Sequence, residues 1–335
     1  MKVSVLLHED LVPPEETLKP SELEERPYKT EYNVLQSLRQ MGHKVNVVGV
    51  KEELSVIRTH IREHSPNIIF NLLEEFRGEA FFDYHIVAYL ELLGIKYTGC
   101  NPRGLLLARD KALGKKVLKY HRIPTPEFTV FRQGKSFKIS KRLKYPLFVK
   151  TLNEEASLGI SQESVVSNEK MLSERIEFLF ETYGTDVIAE TYIDGREFYV
   201  GMMGNDRLQS FPVLELSFGK LSEDSHAIAT RKIKWDLKYR RKNNIEVVSP
   251  KELSNSWVEK MQKVSKKAYR ALELSGCARM DLRITEQGDV FLIEANPNPD
   301  IGEGEEFHQA AELAGWSYSE MLEKLINLGK SWNPR

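Results

Sequence analysis

Three side chains near the C-terminus have the types and spacing of a divalent-metal site. The segment "VFLIEANPNPD", residues 290–300, predicts a strand that carries Glu294 and Asn296. Residues i and i+2 of a strand project from one face, so these two side chains point together. Asp281 lies in an earlier strand-like run, "ARMDLR", and "EQGD" between the runs indicates a hairpin turn. Antiparallel pairing puts Asp281 across from the Glu294 region, and carboxylate and amide oxygens suit Mg²⁺.

Cationic side chains are placed to meet phosphate groups near such a metal. Arg279 is two residues before Asp281 and shares its face, where it can stabilise an anionic transition state. Lys111 lies in "ARDK", and Lys150 ends the hydrophobic strand "YPLFVK". A single lysine is usually a solvated surface charge, but Lys150 directly precedes a loop of small residues.

That loop, "TLNEEASLGIS", contains Ser157 and Gly159, and small residues let backbone N–H groups approach a phosphate. It is not a Walker A motif, because neither "GKS" tripeptide has the required upstream glycine. Farther along, "VIAETYIDGREF" predicts two strands around a turn, with Glu190 and Glu197 on either side of it. A hairpin with exposed acids is the alternative interpretation.

The elements that position these residues differ between the two parts of the chain. In the first hundred residues, the strand-like runs "KVSVLL", "HKVNVVGV", "NIIFNLL" and "IKYTG" alternate with helical patterns. This alternation predicts a parallel sheet with helices on both faces. Later segments predict a helix, "LLLARDKALGKKVLKYH", then antiparallel strands and the metal-site hairpin.

Composition limits the function classes. The chain has 335 residues, a formal net charge of −1 and two cysteines, which predicts a globular protein of two or three domains in a reducing cytoplasm. We expect no signal peptide and no membrane span. The basic run "RKIKWDLKYRRK" suits nucleic acid in isolation, but the neutral chain favours a phosphate or carboxylate substrate.

Five segments occur together, in order, in one family. They are "YTGCNPRGLLLARDK", "YPLFVK" with "EEASLGIS", "AETYIDGREFYVG", "GCARMDLRI" and "FLIEANPNP". On these segments the chain resembles the ATP-grasp superfamily, and within it the D-alanine–D-alanine ligases. The resemblance implies an α/β protein with the ATP-grasp fold and three subdomains: an N-terminal α/β substrate domain (1–100), a central lobe with the phosphate loop (101–194), and a C-terminal lobe with the metal site (195–335).

The resemblance also implies a role for individual residues. ATP and one or two Mg²⁺ ions, with Mn²⁺ as an alternative, are the implied cofactors. Ser157 and Gly159 fall in the phosphate-covering loop, and Arg279 matches the arginine that stabilises the tetrahedral intermediate. The implied ATP contacts are Lys111 and Lys150 at the phosphates, Glu190 and Ile193 at the adenine, and Glu197 at the ribose; the implied metal ligands are Asp281, Glu294 and Asn296.

The chain departs from the D-alanine ligase pattern where the second substrate would bind. Asp300 follows Pro299 where those ligases have glycine, and Glu305 stands near the place of their carboxylate-binding serine. Ala156 replaces the first of two loop serines, and "NLLEEFRGEAFFD" replaces the family's N-terminal signature. Lys234 with Trp235 matches the Lys–Tyr pair of the substrate lid, although Lys238 with Tyr239 is a competing alignment.

These features predict an ATP-dependent carboxylate–amine ligase that works through an acylphosphate and releases ADP and phosphate. Its partners would be small carboxylate and amine substrates, without nucleic acid or membrane, and a homodimer is one option. One alternative is a true D-alanine–D-alanine ligase, against which the altered acceptor region argues. A second alternative is a non-catalytic ATP-binding regulatory protein, against which Arg279 and the complete metal set argue.

Overall fold

The alternating strands and helices of the first hundred residues form a parallel sheet in the order β2-β1-β3. The structure, a computed structural model, describes residues 1–16, 18–136, 139, 143–153, 158–220 and 225–334. Helices accompany the sheet as expected for parallel strands. The elements are β1 (Lys2–His8), α1 (Pro20–Leu23), α2 (Lys29–Gln40), β2 (Lys44–Val50), α3 (Leu54–His64), β3 (Ile68–Asn71) and α4 (Asp83–Leu92).

The predicted fourth strand, "IKYTG", is wrong. Tyr97 forms only an isolated parallel bridge with Ile69. The chain then turns away at Gly99, whose φ of 96° lies in the left-handed region that glycine adopts readily. Within the described residues, the sheet therefore has three strands.

The predicted helix "LLLARDKALGKKVLKYH" is two helices, α5 (Pro102–Arg109) and α6 (Lys111–Tyr120). Asp110 separates them with an extended backbone, and its carboxylate accepts hydrogen bonds from the backbone N–H groups of Ala112 and Leu113. This is the usual arrangement of an aspartate N-cap. The break therefore places Lys111 in the first turn of α6, directly at the cavity described below.

A four-stranded antiparallel sheet follows, in the order β4-β7-β5-β6, and one helix packs on it. Phe131, Leu147 and Leu172 belong to a hydrophobic cluster of this sheet and its helix. The elements are β4 (Phe128–Phe131), β5 (Leu147–Thr151), β6 (Val165–Val166), α7 (Glu169–Tyr183) and β7 (Val187–Thr191).

The C-terminal part contains a third sheet, in the order β11-β10-β8-β12-β13, with β9 paired to β8. The predicted hairpin is its β12-β13 edge, and all pairs are antiparallel. The elements are β8 (Arg196–Met203), β9 (Gln209–Ser210), β10 (Leu214–Ser217), α8 (Arg231–Trp235), α9 (Leu237–Asn243), β11 (Glu246–Val248), α10 (Asn255–Ala271), β12 (Cys277–Ile284), β13 (Val290–Pro297), α11 (Glu306–Leu313) and α12 (Tyr318–Ser331).

The first and third sheets share their hydrophobic packing. One cluster joins Leu6 of β1 to Phe198 of β8, and it also contains Leu105 of α5 and Leu118 of α6. Helices α5 and α6, which the sequence assigns to the central lobe, thus pack in a core shared with the C-terminal sheet. The exact limits of the three subdomains remain a prediction.

Candidate active site

A cavity of about 410 Å³ is lined by residues of the second and third sheets. It gathers residues that lie as far apart in the chain as Glu74 and Glu306, and Arg109 also comes from the first part. Ser157 and Ala156 lie outside the described residues, and Gly159 is not among the lining residues, although Leu158 and Ile160 are. The predicted site residues that line the cavity are Lys111, Lys150, Glu190, Ile193, Glu197, Lys234, Arg279, Asp281, Glu294 and Asn296.

The hairpin brings the three proposed metal ligands together. Asp281 pairs with Glu294 and Arg279 with Asn296, so all four side chains share one face. The register shifts just after Asp281, and bulges of this kind often re-aim side chains beside active sites. The Nδ2 of Asn296 donates to Oδ2 of Asp281 at 2.9 Å. Two carboxylates and an amide are hard-oxygen donors that fit Mg²⁺.

Arg279 holds Asp281 through two hydrogen bonds. Its Nε donates to Oδ1 at 2.8 Å and its Nη2 to Oδ2 at 3.1 Å. Burial raises the pKa of Asp281, and the Arg279 charge opposes that rise. A second carboxylate, Glu306, lies 3.6 Å from Nη1 of Arg279. The guanidinium of Arg279 therefore lies between the proposed metal ligands and the start of α11.

Glu294 lies among lysines. Burial acts to raise its pKa, but the positive charges of Lys111, Lys150, Lys234 and Lys115 lower it to about 2. The Nζ of Lys111 is 3.7 Å from Oε1 of Glu294. The cavity thus concentrates positive charge around one carboxylate, an arrangement that suits a polyanionic ligand and its counter-ion.

Glu190 is almost completely buried, with 2% of its surface exposed, between two of these lysines. Its carboxylate oxygens lie 3.2 Å from Nζ of Lys115 and 3.8 Å from Nζ of Lys150. Lys115 also donates to the carbonyl oxygen of Ile293 on β13. The sequence interpretation missed Lys115, although it is one helical turn after Lys111 and so shares its helix face.

Two further cations lie at the end of the cavity near the β7-β8 connection and at α8. Arg283, which the sequence interpretation also missed, binds Glu197 and the carbonyl oxygen of Ile193. Lys234 of α8 lines the cavity, whereas Lys238 of α9 is exposed. This difference favours the alignment of Lys234 over that of Lys238 with the lid lysine of the family. The side chain of Trp235 lies outside the described part of the chain.

Acidic residues line the part of the cavity formed by the chain after Asn296, which we call its acidic end. Asp300, Glu305 and Glu306 all contribute to the cavity wall. Asp300 accepts a hydrogen bond from the hydroxyl of Thr30 at 2.7 Å, and Glu305 forms an ion pair with Lys29 at 2.7 Å. Burial raises the pKa of Glu305, while Lys29 opposes this and Asp300 adds to it.

Known proteins resemble the chain over nearly its whole length. Residues 111–327 match the family described as D-ala D-ala ligase C-terminus. A D-alanine–D-alanine ligase of Desulfotalea psychrophila is 31% identical over 268 residues, which are 79% of each chain. The chain belongs to the D-alanine–D-alanine ligase family. An uncharacterised protein of Sinorhizobium fredii, y4sG, is 28% identical over 301 residues, 88% of this chain and 86% of its own.

Solved structures agree with this family assignment at the level of the fold. The D-alanine–D-alanine ligase of Bacillus anthracis complexed with ATP has a TM-score of 0.75 and 21% identity, covering 98% of this chain and 97% of its own. The predicted family, ATP-grasp fold and enzyme class, an ATP-dependent ligase that forms carbon–nitrogen bonds, are confirmed. The low identities agree with the departures in the acceptor region.

Proposed function

We propose that this ligase joins a small carboxylate to an amine with ATP as the phosphoryl donor and Mg²⁺ as the metal. The observation that carries the proposal is the cluster of lysines that lowers the pKa of Glu294 to about 2 inside a cavity of about 410 Å³. Lys111, Lys150 and Lys234 would neutralise phosphate oxygens. Glu190 and Ile193 would contact the adenine, and Glu197 would contact the ribose.

The reaction has two transfers. The carboxylate oxygen of the first substrate attacks the γ-phosphorus, the bond to the bridging oxygen of ADP breaks, and an acylphosphate forms. The amine nitrogen then attacks the acyl carbon and loses a proton, while the bond to phosphate breaks. Arg279 would stabilise the negative oxygen that develops at the acyl carbon. Because water hydrolyses an acylphosphate, the cavity must be covered during both transfers.

Asp281, Glu294 and Asn296 would hold the metal. Mg²⁺, or Mn²⁺ as the alternative, offsets the negative charge of the phosphate groups when it is bound. Arg279 already binds both oxygens of Asp281, so it orients this carboxylate toward the patch shared with Glu294.

The acidic end of the cavity favours a particular class of amine. A free α-carboxylate bound beside Asp300, Glu305 and Glu306 would face like charges in a partly buried site, which costs free energy. Lys29 offsets the charge of Glu305 and Arg279 lies 3.6 Å from Glu306, whereas Asp300 accepts a hydrogen bond from the neutral hydroxyl of Thr30. We therefore infer that free D-alanine is a poor acceptor, and that an amine without a free α-carboxylate, or with additional positive charge, is preferred.

The test is a screen of carboxylate and amine pairs for release of ADP and phosphate, with mass spectrometry of the products. Product formation with cationic or carboxylate-free amines is the expected result. Efficient D-alanyl-D-alanine formation would instead identify a true D-alanine–D-alanine ligase. Nucleotide binding without ADP release for any pair would indicate the non-catalytic alternative. Sedimentation of the same sample distinguishes a homodimer from a monomer.

A further inference from the structure

Arg283 makes more contacts than a simple ion pair requires. It lies on β12 with 4% of its surface exposed. Nε and Nη2 donate to Oε2 of Glu197 at 3.3 and 3.1 Å, and Nη1 donates to the carbonyl oxygen of Ile193 at 2.8 Å. Nη2 also donates to the carbonyl oxygen of Ala227, and the guanidinium lies 5.3 Å from the ring centre of Tyr192.

These contacts join three separate segments. Tyr192 and Ile193 belong to the connection between β7 and β8, which links the second sheet to the third. Glu197 is directly opposite Arg283 on β8. Ala227 precedes α8, the helix that carries Lys234. One planar guanidinium therefore fixes the connection between the sheets, a carboxylate of the cavity wall and the segment that leads to α8.

The contacts continue toward the catalytic arginine. The hydroxyl of Tyr199 donates to Oε1 of Glu197 at 3.3 Å. The guanidinium of Arg279 lies 4.7 Å from the ring centre of Tyr199. Glu197 is thus held at Oε2 by two donors of Arg283 and at Oε1 by the hydroxyl of Tyr199, which leaves the second lone pair of Oε1 for another donor.

We propose that Arg283 is a positioning residue for the nucleotide, which orients Glu197 to accept a hydrogen bond from the 2′-hydroxyl of the ribose and fastens the segment before α8 to the β7-β8 connection. The proposal rests on the proposed function, in which ATP occupies this cavity with its ribose at Glu197. Arg283 itself acts through Glu197 and the backbone, so it is not a catalytic residue. A purely structural ion pair would stabilise the fold but would not make binding depend on the ribose.

Calorimetric titration with ATP and with 2′-deoxy-ATP, each with Mg²⁺, tests the proposal on Arg283→Met. We expect the wild type to prefer ATP, because a hydrogen bond to a charged group is lost with the deoxynucleotide. In Arg283→Met, binding of ATP should weaken roughly tenfold or more while binding of 2′-deoxy-ATP changes much less. Glu197→Gln should reduce the same preference, and Arg283→Lys should retain part of it.

Arg196→Met is the matched control. Arg196 is on β8, one residue before Glu197, and binds both oxygens of Glu215 at 2.7 Å, yet it does not line the cavity. Its loss removes an Arg–Glu pair from the same sheet and should leave the ATP preference unchanged. A wild-type preference in folded Arg283→Met would overturn the proposal. Should that variant not fold, a full preference in both Arg283→Lys and Glu197→Gln would overturn it.

Nucleotide binding also separates this proposal from the ligase reaction. A wild type that binds ATP but ligates no substrate pair would contradict the proposed reaction and leave the comparison of nucleotides intact. If the wild type and Arg283→Met prefer ATP over 2′-deoxy-ATP equally and the wild type still ligates its substrates, the role of Arg283 is contradicted and the proposed reaction is not. A wild type that does not bind ATP would contradict both.

Discussion

Glu294 is the carboxylate that the lysines of the cavity surround. In Glu294→Gln, the amide cannot balance the lysines or a divalent cation, so Mg²⁺-dependent ADP release should fall roughly 100-fold or more. The fold should persist, because the amide is close in shape to the carboxylate. The measurement is steady-state ADP release over a Mg²⁺ titration, with circular dichroism to check folding.

Glu286→Gln is the control for this prediction. Glu286 is an exposed acid at the turn of the same hairpin, so its substitution should leave turnover unchanged. Unaltered Mg²⁺ dependence in a folded Glu294→Gln protein would remove Glu294 from the proposed metal set.

The charge of Lys150 is a second feature whose removal should lower turnover. Burial alone would lower its pKa, but the carboxylates of Glu190 and Glu294 raise it, so the side chain stays charged at neutral pH. Lys150→Met keeps the aliphatic volume and removes the charge, and we expect a loss on the order of 2 kcal/mol in transition-state stabilisation. Values of kcat/KM for ATP measure this loss. Lys144→Met, at an exposed position just before β5, should behave as the wild type.

Local periodicity predicted part of the site and could have predicted more. Alternation along β12 and β13 was sufficient to place Asp281, Glu294 and Asn296 on one face. The same alternation places Arg283 on the face of Arg279 and Asp281. Helical spacing likewise places Lys115 on the same helix face as Lys111. What no local rule supplies is the pairing of Lys115 with Glu190, because this contact depends on how α6 packs against the second sheet.

At the level of elements, the sequence predicts the hairpin and the long helices, but it did not predict where a helical run or a strand is interrupted. The Asp110 side chain competes with helix continuation by capping α6, and an aspartate before a helical run is a recognised start signal. The prediction of a strand at "IKYTG" was wrong for another reason. Its composition suits a strand, but Gly99 turns the chain after a single bridge.

The segment before α8, which contributes Ile228 and Ala229 to the cavity wall, contacts the chain that follows β5. Gln162 and His226 exchange hydrogen bonds, from Nε2 of Gln162 to the carbonyl oxygen at 3.1 Å and from the backbone N–H to Oε1 at 2.9 Å. The rings of His226 and Tyr192 are 5.4 Å apart. These contacts join two parts of the cavity wall that are distant in sequence.

We expect Gln162→Ala to loosen this part of the cavity wall and admit water to the acylphosphate. ADP release should then exceed amide formation, whereas the wild type should release about one ADP for each product. The two products are quantified in the same reaction by mass spectrometry. Gln133→Ala removes a comparable hydrogen bond, to the carbonyl oxygen of Phe180 away from the cavity, and should keep the wild-type ratio. Equal ratios in all three proteins would show that the Gln162 contacts do not exclude water.

In the whole molecule, the first and last parts of the chain meet at the acidic end of the cavity. Lys29 and Thr30, at the start of α2, bind Glu305 and Asp300. The sequence did not predict this contact, because nothing local relates residue 30 to residue 300. Glu31 follows in the same turn with 6% of its surface exposed, and its Oε2 has no hydrogen-bond partner among the described residues.

Burial, with a smaller contribution from Asp300, raises the pKa of Glu31 from 4.5 to about 7. The folded state therefore binds the Glu31 proton more tightly than the unfolded state does, so this group destabilises the fold as the pH rises from 4.5 to about 7. Each pH unit corresponds to about 1.4 kcal/mol, which gives a loss of about 3 kcal/mol in unfolding free energy across the range.

Glu31→Gln remains neutral, so its stability relative to the wild type should increase by this amount between pH 5 and pH 8. Urea denaturation at several pH values measures the difference, with Glu177→Gln, at an exposed position of α7, as the control that should follow the wild type. Parallel pH profiles for wild type and Glu31→Gln would mean that Glu31 is ionised in the folded protein at pH 5, and that the junction of α2 with the Asp300 segment tolerates its charge.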